Sequence, residues 1–192
     1  MTKPNPANPT LSISDANVAS ALAQIGAEID HQPLRSSALA RIMRETFLGS
    51  DSGGAWDWRK AYDLMQAAAV QMLLREDNAA GDIATAKLLA SRLLTETRRS
   101  EQQIRLQQFS TPLPFAALVL RAAAIRKGET VLEPSAGTGA LAAFAARAGA
   151  MLLLNDIDPF RQSLLRAVFG GEVTSHDGEH IDDLLQTPVL PD

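Results

Sequence analysis

VLEPSAGTGALAAFAARA, residues 131–148, joins a short apolar strand to an alanine-rich helix through a loop with glycines at 137 and 139. Glycines at such positions let a ligand approach the backbone closely, and the first turn of the helix offers free N–H groups. We therefore predict a strand over 130–133, a helix over 141–148 and a ligand-binding loop between them. No Lys-Ser or Lys-Thr pair follows the glycines, which excludes a nucleoside triphosphate loop.

The residues after this loop continue the alternation of strands and helices. MLLLND at 151–156 shows no polar alternation, as is typical of a strand covered on both faces. We predict a helix over 159–169 and a third strand over 172–176. This order predicts the α/β fold class, with a Rossmann-like, doubly wound parallel sheet that is incomplete at about three strands.

The first half of the chain has the pattern of helices alone. Residues 1–10 are rich in proline and are predicted to form a disordered arm. Apolar residues at helical spacing then predict four helices, from about 12–14 to 31, over 34–48, along Trp58-Tyr62-Met65-Ala69-Met72, and over 82–99. We predict that 11–99 form a compact helical region, and we place its boundary with the α/β region (100–192) near 99–106.

Composition narrows the function classes. The 192 residues include no cysteine, which excludes disulfides and thiolate-bound zinc and suits a cytoplasmic protein. No apolar run approaches the roughly 20 residues that span a bilayer, so we expect a soluble protein without a membrane partner. The net charge of -4 is a poor electrostatic match to the phosphate backbone of DNA, so we do not expect this chain to bind DNA by itself.

Two acidic side chains stand where predicted strands end. Glu133 precedes the glycine loop. A carboxylate in this position would repel a pyrophosphate but could form an ion pair with an ammonium group. Asp156 follows the second strand, about 20 residues beyond the loop, where an acidic side chain can accept hydrogen bonds from a ribose diol. Ile157 would then lie against an adenine ring. Asp158 is also suited to cap the helix that begins at Pro159.

Other interpretations of these residues remain open at this point. Ala142 could supply the third small residue of a nicotinamide dinucleotide fingerprint, although Glu133 and the Pro134-Ser135 pair oppose it. The glycines could also form a tight turn that binds no ligand, and Asp156 could be an ordinary surface acid.

The motifs together resemble a known enzyme family. EPSAGTG at 133–139 followed by NDIDP at 155–159 resembles motifs I and II of class I S-adenosylmethionine-dependent methyltransferases of the N6-adenine DNA type. QQFSTP at 107–112 resembles motif X of the same group. The run from Arg98 to Pro112 more narrowly resembles the methylase part of methylase–helicase fusions of the strawberry notch type. The resemblance covers about 98–192, and it implies S-adenosylmethionine as cofactor.

The resemblance implies roles for individual residues. Ser110 and Thr111 would contact the methionine carboxylate. The residues that line the methionine and ribose would be Glu133, Ala136, Gly137 and Gly139. Asp156 would hold the ribose hydroxyls, with Ile157 against the adenine.

One further site residue follows the third predicted strand. Asp177 matches motif III, whose acid accepts a hydrogen bond from the adenine N6 group. An Asp-Gly turn also needs no ligand, so both interpretations of Asp177 remain.

The sequence departs from the family at the catalytic step. Amino-methylating members carry an Asn/Asp-Pro-Pro-Tyr/Phe tetrapeptide, whose polar groups bind the target amine and whose ring stacks on the flipped base. No such tetrapeptide is present. We therefore expect the cofactor-binding N-terminal half of an enzyme, truncated before this motif, with no catalytic residue of its own and no methyl transfer by this chain alone.

Partners follow from the same departure. DNA would be bound through the missing C-terminal parts, and the resemblance implies a helicase domain in the full-length protein. The alternative is a catalytically inactive binding or adaptor module of a helicase-linked protein.

Overall fold

Three parallel strands and the helices between them form the part of the fold that positions the glycine loop. The computed structural model describes residues 15–75, 83–96 and 110–185. Strands β1 (Thr130–Glu133), β2 (Met151–Asn155) and β3 (Val173–Thr174) lie in the order β1-β2-β3, with Glu133 beside Leu154 and Asn155 beside Thr174. The prediction of a mixed helix and parallel-sheet fold is confirmed.

The helices precede and separate these strands. They are α1 (Asp15–His31), α2 (Ser36–Phe47), α3 (Trp58–Arg75), α4 (Ile83–Arg92), α5 (Leu113–Ala123), α6 (Ala140–Arg147), α7 (Pro159–Phe169) and the short α8 (Ile181–Leu184), which follows a 3-10 turn at Gly178–His180. Within the described ranges, no helix has the length and apolar character needed to cross a bilayer.

Most predicted elements lie within a residue or two of the observed ones, and three differ more. The fourth helix ends at Arg92 rather than at 99, and the carbonyl of Arg92 accepts the N–H of Leu34 at 2.8 Å. The third strand pairs only over Val173–Thr174. Helix α5 was not predicted. The 1–10 arm and the 99–106 boundary lie outside the described residues.

Helix α3 connects the helical region to the α/β region. Eleven of its 18 residues are buried, and it contacts α1, α2 and α4 as well as α6 and α7. The predicted apolar residues Tyr62, Met65 and Ala69 are buried, but the same hydrophobic cluster continues into α5, α6 and α7. The first half of the chain therefore shares its core with the helices that flank the sheet.

Candidate cofactor site

The glycine loop between β1 and α6 is held in place by backbone hydrogen bonds. The N–H of Ala136 donates to the carbonyl of Asn155 at 2.8 Å, and the N–H of Gly139 donates to the carbonyl of Ala136 at 2.8 Å. Gly137 and Gly139 have φ angles of 59° and 87°, which disfavour residues with a side chain. The predicted loop is therefore present, and its glycines are required by the backbone conformation.

A cavity of about 270 Å³, open to solvent, lies against this loop. Five of the nine expected cofactor-binding residues line it, namely Ser110, Thr111, Glu133, Ala136 and Gly137. The rest of the lining comes from their neighbours Ser135, Thr138, Ala140 and Leu141. The structure thus brings the residues before α5 to the end of β1, although about 20 residues separate them in the sequence. Gly139, Asp156, Ile157 and Asp177 lie outside its lining.

Glu133 contributes a buried carboxylate to the cavity. The residue is 9% exposed, and no hydrogen-bond donor or cation pairs with its side chain among the residues that the structure describes. Burial raises the pKa of Glu133 to about 7. An ionised carboxylate in such a position is stabilised by a cationic ligand, because the charge is otherwise poorly solvated.

Asp156 ties the two loops of the site together. One of its carboxylate oxygens accepts the N–H of Gly137 and the other accepts the N–H of Asp158, each at 2.8 Å. Burial raises the pKa of Asp156, while these two hydrogen bonds act in the opposite direction. Each oxygen keeps a second lone pair, although Asp156 is 4% exposed and lies outside the lining of the cavity.

A cluster of buried charges continues from Asp158. Its side chain caps α7 by accepting the N–H groups of Phe160 and Arg161, as predicted, and it also accepts a hydrogen bond from Arg59 of α3. Burial would raise the pKa of Asp158, but Arg59 and the capping N–H groups hold it below its ordinary value. Arg161 in turn forms a two-pronged ion pair with Asp63, at 2.9 and 3.2 Å.

The sequence analysis missed Asn155. This residue is fully buried, and its amide nitrogen donates to the carbonyls of Pro134 at 2.7 Å and His176 at 2.9 Å. Its amide oxygen accepts the hydroxyl of Thr174 and the N–H of His176. One side chain thereby joins the carboxyl ends of all three strands. A polar residue at the end of the apolar run 151–154 was the available signal.

Ile157 and Asp177 lie at the surface beside these loops. Ile157 is 53% exposed, which leaves its side chain free to contact a ligand. Asp177 is exposed and caps the 3-10 turn by accepting the N–H of Glu179, so the turn interpretation describes its observed contact. A Cβ atom on Gly178 would lie 3.0 Å from the Pro134 carbonyl, so the turn packs closely on the glycine loop.

Gly139 should be the least replaceable glycine of the loop. An added Cβ would lie 2.5 Å from the ring of Phe169, in a backbone conformation that is already strained for alanine. We expect Gly139→Ala to lower the free energy of unfolding by about 2–4 kcal/mol, measured by urea denaturation. Gly54→Ala is the matched control, because Gly54 also has a positive φ but its Cβ would meet open space. Equal losses for the two variants would contradict the role of Phe169.

Known proteins add no constraint to this site. No family model, curated protein or solved structure matches the chain.

Proposed function

We propose that this chain binds S-adenosylmethionine at the glycine loop, as the cofactor-binding part of a methyltransferase that acts on the N6 group of adenine in DNA. The fold would then be the first half of a Rossmann-like, doubly wound domain. The observation that carries the proposal is the buried carboxylate of Glu133 in the lining of the cavity, which has no charged or hydrogen-bonding partner among the described residues.

The ligand's chemistry fits the groups along the site. The methionine ammonium group would compensate Glu133, and the hydroxyls of Ser110 and Thr111 would reach the methionine carboxylate. The space of about 270 Å³ beside the loop includes open solvent, so the methionine end would lie in it while the adenosine extends over the loops. A nicotinamide dinucleotide would instead bring pyrophosphate charge to Glu133, which opposes that alternative.

The adenosine end would lie along the loop after β2. Asp156 would accept the ribose hydroxyls, and the exposed side chain of Ile157 would cover one face of the adenine. S-adenosylmethionine supplies an activated methyl group, and these residues would contribute by holding the cofactor in one orientation. The amine-binding tetrapeptide is not among the motifs of this sequence, and none of these residues is assigned to DNA or to a helicase domain.

A second candidate function is a binding module. Helix α5 buries Leu113, Ala116 and Leu120 but leaves Phe115, Leu118 and Val119 about half exposed or more. An apolar helix face of this kind is typical of docking surfaces, and the sequence lacks the amine-binding tetrapeptide. An adaptor of this type would bind its partner without needing the cavity.

Calorimetry with S-adenosylhomocysteine separates these functions. We expect one binding event with this ligand and none with NAD. Ile157→Ser should weaken binding about five- to tenfold, because it removes apolar contact with the adenine. Met151→Ser is the matched control, since Met151 is also 53% exposed but lies at the opposite end of β2. Failure to bind the ligand, or equal weakening by both substitutions, would count against the proposed site.

A further inference from the structure

One face of helix α3 carries polar side chains into the core. Arg59, Asp63 and Gln66 follow one another at intervals of four and three residues, so they share a face of the helix. Arg59 is 6% exposed and Asp63 is 2% exposed. Burying charges is costly unless they are paired, so their partners indicate what this polar face (Arg59, Asp63 and Gln66) does.

Each residue of the polar face is bonded to one of the two loops of the candidate site, or to the helix turn that follows it. Arg59 donates to Asp158 in the loop after β2, and Asp63 accepts two hydrogen bonds from Arg161 in the first turn of α7. Gln66 accepts the hydroxyl of Thr138 in the glycine loop, at 3.1 Å. Consecutive turns of α3 thus hold both sides of the site.

The two loops also meet each other within this network. The carboxylate of Asp156 accepts N–H groups from both loops, and the Asp63 and Asp156 carboxylates lie in the field of Arg161. Burial disfavours the charge of Arg161, but Asp63, Asp156 and Asp158 together outweigh it and raise the pKa of Arg161. The separation of Glu133 from Asp156 is therefore set in part by a helix that does not line the cavity.

We propose that Arg59, Asp63 and Gln66 are positioning residues for the ligand, and that α3 belongs functionally to the cofactor site. The proposal rests on the proposed function, because it assigns these residues to the same ligand. A ligand that spans the two loops would bind tightly only while α3 holds them at the observed separation.

Two substitutions on the full chain test this, with one control. Asp63→Asn removes the charge that pairs with Arg161 at nearly constant volume. Gln66→Ala, at a half-buried position, removes the contact with Thr138 together with the hydrogen bond that Gln66 donates to Glu96. We expect S-adenosylhomocysteine affinity to fall about tenfold or more for the first and about three- to tenfold for the second. Val70→Ala removes buried methyl groups from the same helix without touching these bonds, so its affinity should stay near wild type.

Hydrogen exchange provides a readout that needs no ligand. The amides of Gly137 and Asp158 should exchange faster in Asp63→Asn than in Val70→Ala after correction for global stability, because Arg161, whose charge acts on their acceptor Asp156, would lose its partner. If exchange at both amides is unchanged in Asp63→Asn, the positioning role is overturned even if the wild type binds the ligand. Faster exchange with unchanged affinity for S-adenosylhomocysteine also overturns it. If Asp63→Asn fails to fold, Gln66→Ala decides by the same criteria at Thr138 and Gly137. If the wild type binds no ligand, the proposed function fails, and so does the assignment of these residues to that ligand. The exchange measurement then tests only whether α3 holds the two loops in place.

Discussion

Binding of S-adenosylhomocysteine should tighten about tenfold between about pH 6 and about pH 8. Burial raises the pKa of Glu133 to about 7, so most of the carboxyl groups are protonated at the lower pH and most are ionised at the higher one. The ammonium group of the ligand requires the ionised form. Glu133→Gln should bind weakly and with little dependence on pH over this interval, and calorimetry at several pH values measures both.

The stability of the free chain should change in the opposite direction. Since the pKa of Glu133 is raised from its ordinary 4.5 to about 7, the folded state holds its proton more tightly than the unfolded state. The resulting stabilisation is complete below about pH 4.5 and is lost as the pH rises through about 7. Its full size is about 3 kcal/mol by linkage, and it should be absent in Glu133→Gln.

Urea denaturation of the two proteins across this pH range measures the effect. The free energy of unfolding of the wild type should fall relative to that of Glu133→Gln as the pH rises. A constant difference between them would mean that Glu133 ionises in the fold as readily as in the unfolded chain. In that case Glu133 would already be compensated in the free protein and would not need a cationic ligand.

Arg161→Met should destabilise the protein by about 3–5 kcal/mol. The substitution keeps much of the side-chain volume but removes the partner that donates two hydrogen bonds to Asp63. Within the described part of the chain, Asp63 would then keep only the more distant Arg59 at 3.7 Å, which is itself bonded to Asp158. A buried carboxylate left in this way is costly, whereas the intact pair contributes little net stability.

The double variant Arg161→Met/Asp63→Leu is the control for this prediction. Removing both charges leaves apolar side chains in a buried position, so most of the lost stability should return. Thermal or urea unfolding of the wild type, the two single variants and the double variant completes the cycle. Additive losses would show that Arg161 and Asp63 stabilise the fold independently of each other.

The local pattern of the sequence was sufficient for the strand and helix order around the site. Strand β1 and helix α7 were predicted at their observed bounds, because an apolar run before a glycine loop and the Asp158-Pro159 pair are signals that act within a few residues. The nearness of Glu133 to the glycine loop followed for the same reason. The Asp156 loop could be expected beside it, because parallel neighbouring strands end at the same edge.

Other features depended on residues far apart in the chain. Helix α5 is apolar over most of its length, and its buried face is determined by its contacts with α4 and α6. Arg59 and Asp63 pair with groups 99 and 98 residues further along, and nothing near them in the sequence indicates this. The sequence by itself predicted that Glu133, Ala136 and Gly137 lie at the site, and which strands carry it. It did not predict the full lining of the cavity, which includes Thr138 but not Gly139. Only the tertiary structure decided that α3 holds the loops, because buried charges take their partners from packing rather than from sequence neighbours.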